Sequence, residues 1–102
     1  MPPLDELTLY RIAEEAVDNA VRHAHPAQIE VVLSFHPERV VLVVKDDGEG
    51  FDVTATEARL GRTRGLGLIE MTERAALVGS RLEVRSLIGS GTEVRVMLAA
   101  RQ

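Results

Sequence analysis

A change of rhythm at Pro26 constrains this chain more than any other feature. Over residues 5–24, DELTLYRIAEEAVDNAVRHA, the apolar positions Leu9, Ile12, Ala13, Ala16, Ala20 and Ala24 fall at helical spacing. Asp5 and Glu6 suit the N-terminus of that helix, and Pro26 stops it. Beyond Pro26, in QIEVVLSF, the apolar residues Ile29, Val31, Leu33 and Phe35 alternate, which predicts a strand with one buried face. HPER is a turn with Pro37 at a favoured position. VVLVVK is apolar almost throughout and predicts a central strand covered on both sides. Residues 52–64, DVTATEARLGRTR, break the pattern; a stretch of this length without periodicity reads as a mobile lid or binding loop. The cycle then repeats. Leu68, Met71, Ala75 and Val78 lie at helical spacing after RGLGL, Gly79 is placed to end that helix, and RLEVRSL and TEVRVMLA are strands joined by IGSG. The order predicts an α+β fold, with helices on one face of a largely antiparallel sheet.

At 102 residues there is room for one domain, spanning 1–102, and for one modest core. The net charge of −4 argues against nonspecific contact with nucleic acid or acidic membranes. The chain holds no cysteine, hence no disulfide and no thiolate zinc site, which fits a reducing compartment. No apolar run approaches the roughly 20 residues of a membrane-spanning helix, and no secretion signal is visible. There is no internal repeat.

Four short stretches can carry chemistry. Glu15 and Asn19 share a helix face, and Arg22 and His23 continue it one turn later. The stripe is either a solvated helix edge or a metal and anion site. In the second case the Asn19 amide oxygen is a ligand for a hard cation such as Mg²⁺, Glu15 holds a metal-bound water, and Arg22 meets a phosphate. DDGEGF, residues 46–51, follows an apolar strand. Its adjacent carboxylates, Asp46 and Asp47, repel unless something separates or pairs them. Gly48 and Gly50 admit unusual backbone angles and a close ligand. A hairpin turn explains DDG as well. GLGL, Gly65 to Leu68, opens the second helix, where glycines let phosphates reach backbone N–H groups; plain helix entry is the other reading. GSGT, residues 89–92, is a hairpin whose Thr92 hydroxyl can face a base. A Walker loop is excluded, because the only lysine, Lys45, follows valine. His23 and His25 form an H-x-H without a third nitrogen ligand nearby, and His36 sits in a turn.

Taken in order, these pieces resemble the GHKL ATPase superfamily of gyrase, the heat-shock chaperone, histidine kinases and MutL. Glu15-x-x-x-Asn19 is similar to its N box, Asp46-x-Gly48-x-Gly50 to its G1 box, Gly65-x-Gly67 to its G2 box, and GSGT to the glycine–threonine element that follows. LYRIAEEAVDNAVRHA, DDGEGF, GLGLIEMTERAALVGSRLEVRS and GSGTEV resemble the catalytic domain of sensor histidine kinases of the nitrate-sensor type, whose partners are LuxR-like response regulators. The likeness covers nearly the whole chain.

The resemblance implies a Bergerat fold, a two-layer α/β sandwich with a mixed, mostly antiparallel sheet and a mobile ATP lid. It implies ATP and Mg²⁺ as cofactors. It assigns Asp46 to the adenine amine, Asn19 to Mg²⁺, Gly48 and Gly50 to the base pocket, and Gly65 and Gly67 to the lid's flanks and the phosphates. Thr92 lies near the base. Arg22 replaces a basic residue near the phosphates, and His23, Leu66 and Leu68 belong to the ATP-binding set. Glu15 is general base in the ATPase members and a water holder here. Asp47, at the variable position, is left out of the site. Arg62 and Arg64 in the lid either reach phosphates or are solvated. The γ-phosphoryl group is expected to pass to a histidine on a separate dimerisation domain. None of the three histidines here is followed by Asp or Glu, so the chain is not expected to phosphorylate itself. The resemblance further implies a cytoplasmic domain, monomeric alone, from a homodimeric kinase. Two rivals are a free-standing anti-sigma serine kinase of the same superfamily and a nucleotide-responsive module without catalysis.

Overall fold

The computed structural model describes residues 1–50 and 68–100. Helix α1, Pro3–Asn19, opens with proline at its first position, where the missing N–H has no intrahelical partner to lose, and carries Asp5 and Glu6 in its first turn. The helix predicted as continuous to residue 24 changes character at Ala20: Ala20–Ala24 is a π turn, and His25 closes it in a left-handed conformation at φ 48°. Strands β1, Ile29–Phe35, and β2, Arg39–Asp46, follow. Helix α2, Leu68–Leu77, ends as expected at Gly79, whose φ is 72°. Strands β3, Arg81–Ser86, and β4, Thr92–Ala99, complete the described chain.

The described sheet runs β1-β2-β4-β3, with every neighbouring pair antiparallel. Alternation along the two central strands builds the core. Val40, Leu42 and Val44 of β2 stand opposite Leu98, Val96 and Val94 of β4. Leu9, Ile12 and Ala16 from α1, with Leu68, Met71 and Ala75 from α2, close over them. The result is the expected two-layer α/β sandwich with helices on one face.

Two expectations need correction. The run VVLVVK is covered on both sides only in part: Val40, Leu42 and Val44 join the helix-covered core and Val41 on the other face is 6% exposed, but farther along that face Val43 is half-buried and Lys45 exposed. Nor does β1 bury its apolar face. Val31, Leu33 and Phe35 line up with Val44, Leu42 and Val40, yet are 50%, 44% and 66% exposed, because β1 is an edge strand beyond the helices' cover. Phe35→Thr is therefore expected to cost less than about 1 kcal/mol in urea unfolding, against the roughly 3–5 kcal/mol of a core phenylalanine.

Candidate functional site

The core rows end in polar residues. Two positions beyond the Val44–Val94 pair, on the same face of the sheet, Asp46 stands opposite Thr92. The next strand adds Ser86 opposite Thr92, so three polar side chains cross the end of the sheet in one row. Above them pass the last turn of α1 and the π turn, where Ala16, Ala20 and Ala24 present only methyl groups. A cavity of about 110 Å³ opens there, several times the space one water needs.

Asn19 and His23 line this cavity from the helix, Asp46 and Gly50 from the end of β2, Thr92 from β4 and Leu68 from α2. Residues far apart in sequence thus meet as the motif order requires. Asp46 is only 8% exposed and is the one carboxylate among the described lining residues. Its Oδ1 accepts the Gly48 N–H at 2.8 Å, which fixes the carboxylate's orientation. Its Oδ2 accepts no hydrogen bond among the described residues. The Thr92 and Ser86 hydroxyls lie 2.8 Å apart, and Ser86 also donates to the Gly91 carbonyl at 3.1 Å. The cavity therefore offers a charged acceptor at its floor, a hydroxyl beside it and apolar walls. That pattern suits a flat ligand carrying an amine.

Other predicted residues lie elsewhere. Glu15 and Arg22 line a neighbouring groove between α1 and α2, with Glu70 and Arg74. Arg22 pairs with Asp18 at 2.5 Å, an i,i+4 pair that helical spacing alone could have flagged. Gly48 is under the helix end rather than in the cavity: a Cβ on it would come within 2.4 Å of the Ala24 carbonyl oxygen. Gly50, at φ 67°, would place a Cβ 2.1 Å from the Leu87 carbonyl oxygen. Protein backbone presses on both glycines, and Gly50 lines the cavity as well. Gly65, Leu66, Gly67, Arg62 and Arg64, and with them the predicted lid, lie outside the described residues. Among the described residues no cluster of three His, Cys, Asp or Glu side chains could hold a metal.

Sequence reasoning missed the residues that hold the loop. Asp47 Oδ1 accepts the N–H groups of both Ala27 and Gln28, each at 2.9 Å. His25 Nδ1 and Glu49 Oε2 are 2.6 Å apart. Ser86, which holds the Thr92 hydroxyl, was passed over as well. The demand that two adjacent carboxylates be separated was the one signal that pointed to Asp47.

A family model described as histidine kinase-, DNA gyrase B-, and HSP90-like ATPase matches residues 4–102. The chain is 35% identical over 96 residues to the signal transduction histidine-protein kinase/phosphatase DegS of Bacillus subtilis (strain 168), covering 94% of this chain and 24% of that protein. It is 35% identical over 88 residues to the sensor histidine kinase LiaS of the same organism, covering 86% and 23%. It thus spans about a quarter of the length of these relatives. Among solved structures, the ATP binding domain of PrrB from Mycobacterium tuberculosis superposes with a TM-score of 0.74 at 20% identity, covering 94% of this chain and 69% of that one. The Acinetobacter baumannii histidine kinase AdeS gives 0.74 at 16% identity, covering 93% and 47%. At those identities the likeness shows the fold.

Proposed function

The chain belongs to the family of histidine kinase-, DNA gyrase B- and HSP90-like ATPases, and from that premise we propose that it is the ATP-binding catalytic domain of a sensor histidine kinase. One observation carries the reading: Asn19, Asp46 and Thr92, from three separate elements, line one cavity whose floor is a buried carboxylate. Asp46 takes the adenine amine through Oδ2, Thr92 lies beside the base, and Leu68 and Val94 supply apolar wall. The triphosphate leaves past Asn19 and His23 toward the groove that holds Glu15 and Arg22. Gly65, Leu66 and Gly67 are assigned to the phosphates on the motif alone.

Mg²⁺ fits the donor chemistry. Asn19 offers an amide oxygen on the cavity wall, and Glu15, one turn away, offers a carboxylate that can hold a water. The ion would neutralise charge on the phosphates. What the chain itself does is bind and orient: the buried acceptor fixes the base, and the helix end faces the phosphates. The γ-phosphoryl group then passes to a histidine nitrogen on a separate dimerisation domain, and ADP leaves. By the same reading the domain is cytoplasmic, monomeric alone, part of a homodimeric kinase of the nitrate-sensor type, and coupled to a LuxR-like response regulator rather than to nucleic acid. No helix among the described residues is long and apolar enough to cross a membrane.

Mixing this chain with the parent kinase's histidine-bearing domain and γ-labelled Mg-ATP tests the proposal. The expected product is an acid-labile, alkali-stable phosphohistidine on the dimerisation domain, with this chain unlabelled. With a candidate protein substrate added to the mixture, acid-stable phosphoserine on that substrate would instead favour the serine kinase, and no transfer to either protein the non-catalytic module.

A further inference from the structure

We propose that Asp47 is a positioning residue of the nucleotide site, setting the distance between the acid at the cavity floor and the helix that forms its wall. The proposal rests on the ATP-binding reading and extends it to a residue that lines no part of the cavity.

The two neighbouring acids solve their repulsion by pointing apart. Asp46 is buried at the cavity floor. Asp47 turns to the connection between α1 and β1, where a single oxygen receives two consecutive backbone N–H groups, Ala27 and Gln28, at 2.9 Å each. Such charge-assisted bonds to backbone donors are stronger and more directional than neutral ones. The Asp47 N–H reaches back to the Gln28 carbonyl at 3.4 Å, and the Glu49 N–H donates to the Ala24 carbonyl at 2.8 Å. The His25–Glu49 contact adds an exposed clasp on the same side.

The consequence is geometric. Residues 24–28 lead directly out of the turn that carries His23 and Ala24, and residues 46–50 carry Asp46 and Gly50. The first pair forms wall and the second floor. The Asp47 carboxylate ties its own segment directly to the backbone of the other, and it sits next to the residue that would read the base. Removing it leaves the loop tied to the helix end by the two backbone hydrogen bonds and the exposed His25–Glu49 contact alone, and so loosens it. Gly48 has no side chain to hold it there, since it sits directly beneath Ala24.

Calorimetry with Mg-ATP on this chain separates positioning from plain stability, because stoichiometry reports the folded fraction and Kd reports the site. Asp47→Ala is expected to weaken ATP about tenfold with stoichiometry near one, as loss of a support behind a binding residue does. Asp47→Asn keeps an Oδ1 that can accept both N–H groups and should stay within about threefold of wild type. Asp47→Glu keeps the charge but displaces the oxygen by one methylene, and should weaken ATP about fivefold; it carries the test if the alanine variant does not fold. Kd unchanged in Asp47→Ala or Asp47→Glu, a fall in stoichiometry alone, or an Asn variant as weak as the Ala variant would each overturn the proposal. No binding of ATP by the wild-type chain would instead overturn the nucleotide reading, and this proposal with it.

Discussion

Gly91→Ala is expected to lower stability by roughly 3–4 kcal/mol, whereas Gly89→Ala, two residues earlier in the same hairpin, should cost about 1 kcal/mol. Both glycines adopt positive φ, 80° at Gly91 and 85° at Gly89, so both substitutions carry the left-handed penalty of an L side chain. Their surroundings differ. A Cβ on Gly89 meets nothing within 4 Å. A Cβ on Gly91 would lie 2.1 Å from the Asp46 carbonyl oxygen and 3.2 Å from the Asp47 Cα. Those are backbone atoms, and no rotamer change can move them aside. The hairpin is seated on the acidic loop from two directions, since the Gly89 N–H also donates to the Glu49 carbonyl at 2.5 Å. Urea unfolding of both variants, read at constant m, measures the difference. Equal losses would mean that the β3–β4 hairpin does not rest on the loop. Any folded Gly91→Ala protein should also bind ATP more weakly, because relief of the overlap displaces the residue that carries the Asp46 carboxylate.

The residues that sequence reasoning placed well are those whose role is set by local period. Ile12 and Met71 recur at helical spacing and are fully buried. Asn19, Asp46 and Thr92 were legible through motif spacing, and strand register explains why they converge: the alternation that buries Val40, Leu42 and Val44 puts Asp46 on the same face. Where period is silent, the reading failed. Alternation in β1 says which residues share a face, but not whether anything covers it, so Phe35 was expected inside and lies outside. Glycine says that something approaches closely, but not what. At Gly48 a ligand was expected and the neighbour is Ala24, whereas Gly50 lines the cavity and is pressed by Leu87 as well. Asp47 escaped because its partners are backbone N–H groups of Ala27 and Gln28, which carry no residue-type signature. Arg22 also has a partner that the reading did not name, Asp18 four residues back.

Asp46→Asn is expected to weaken Mg-ATP binding by roughly 1.5–3 kcal/mol, the worth of a hydrogen bond to a charged acceptor, or about ten- to hundredfold in Kd. The substitution is nearly isosteric and leaves Oδ1 able to accept the Gly48 N–H, so the loop keeps its geometry. What changes is the second atom of the group. Oδ2, an acceptor, becomes Nδ2, a donor, and meets the adenine amine donor to donor at a residue only 8% exposed, where water compensates poorly. The same change makes a selectivity prediction. Inosine triphosphate carries a carbonyl where ATP carries the amine, so wild type should reject it and Asp46→Asn should accept it better. A site built to bond one pattern rejects its analogue because a buried group is left unpaired. Calorimetry with both nucleotides on both proteins therefore distinguishes a lost contact from a damaged fold. A damaged fold weakens ATP and inosine triphosphate together, whereas a reversed acceptor weakens one and strengthens the other. Unchanged ATP affinity in the variant would remove Asp46 from the site, and with it the buried acceptor on which the adenine assignment depends.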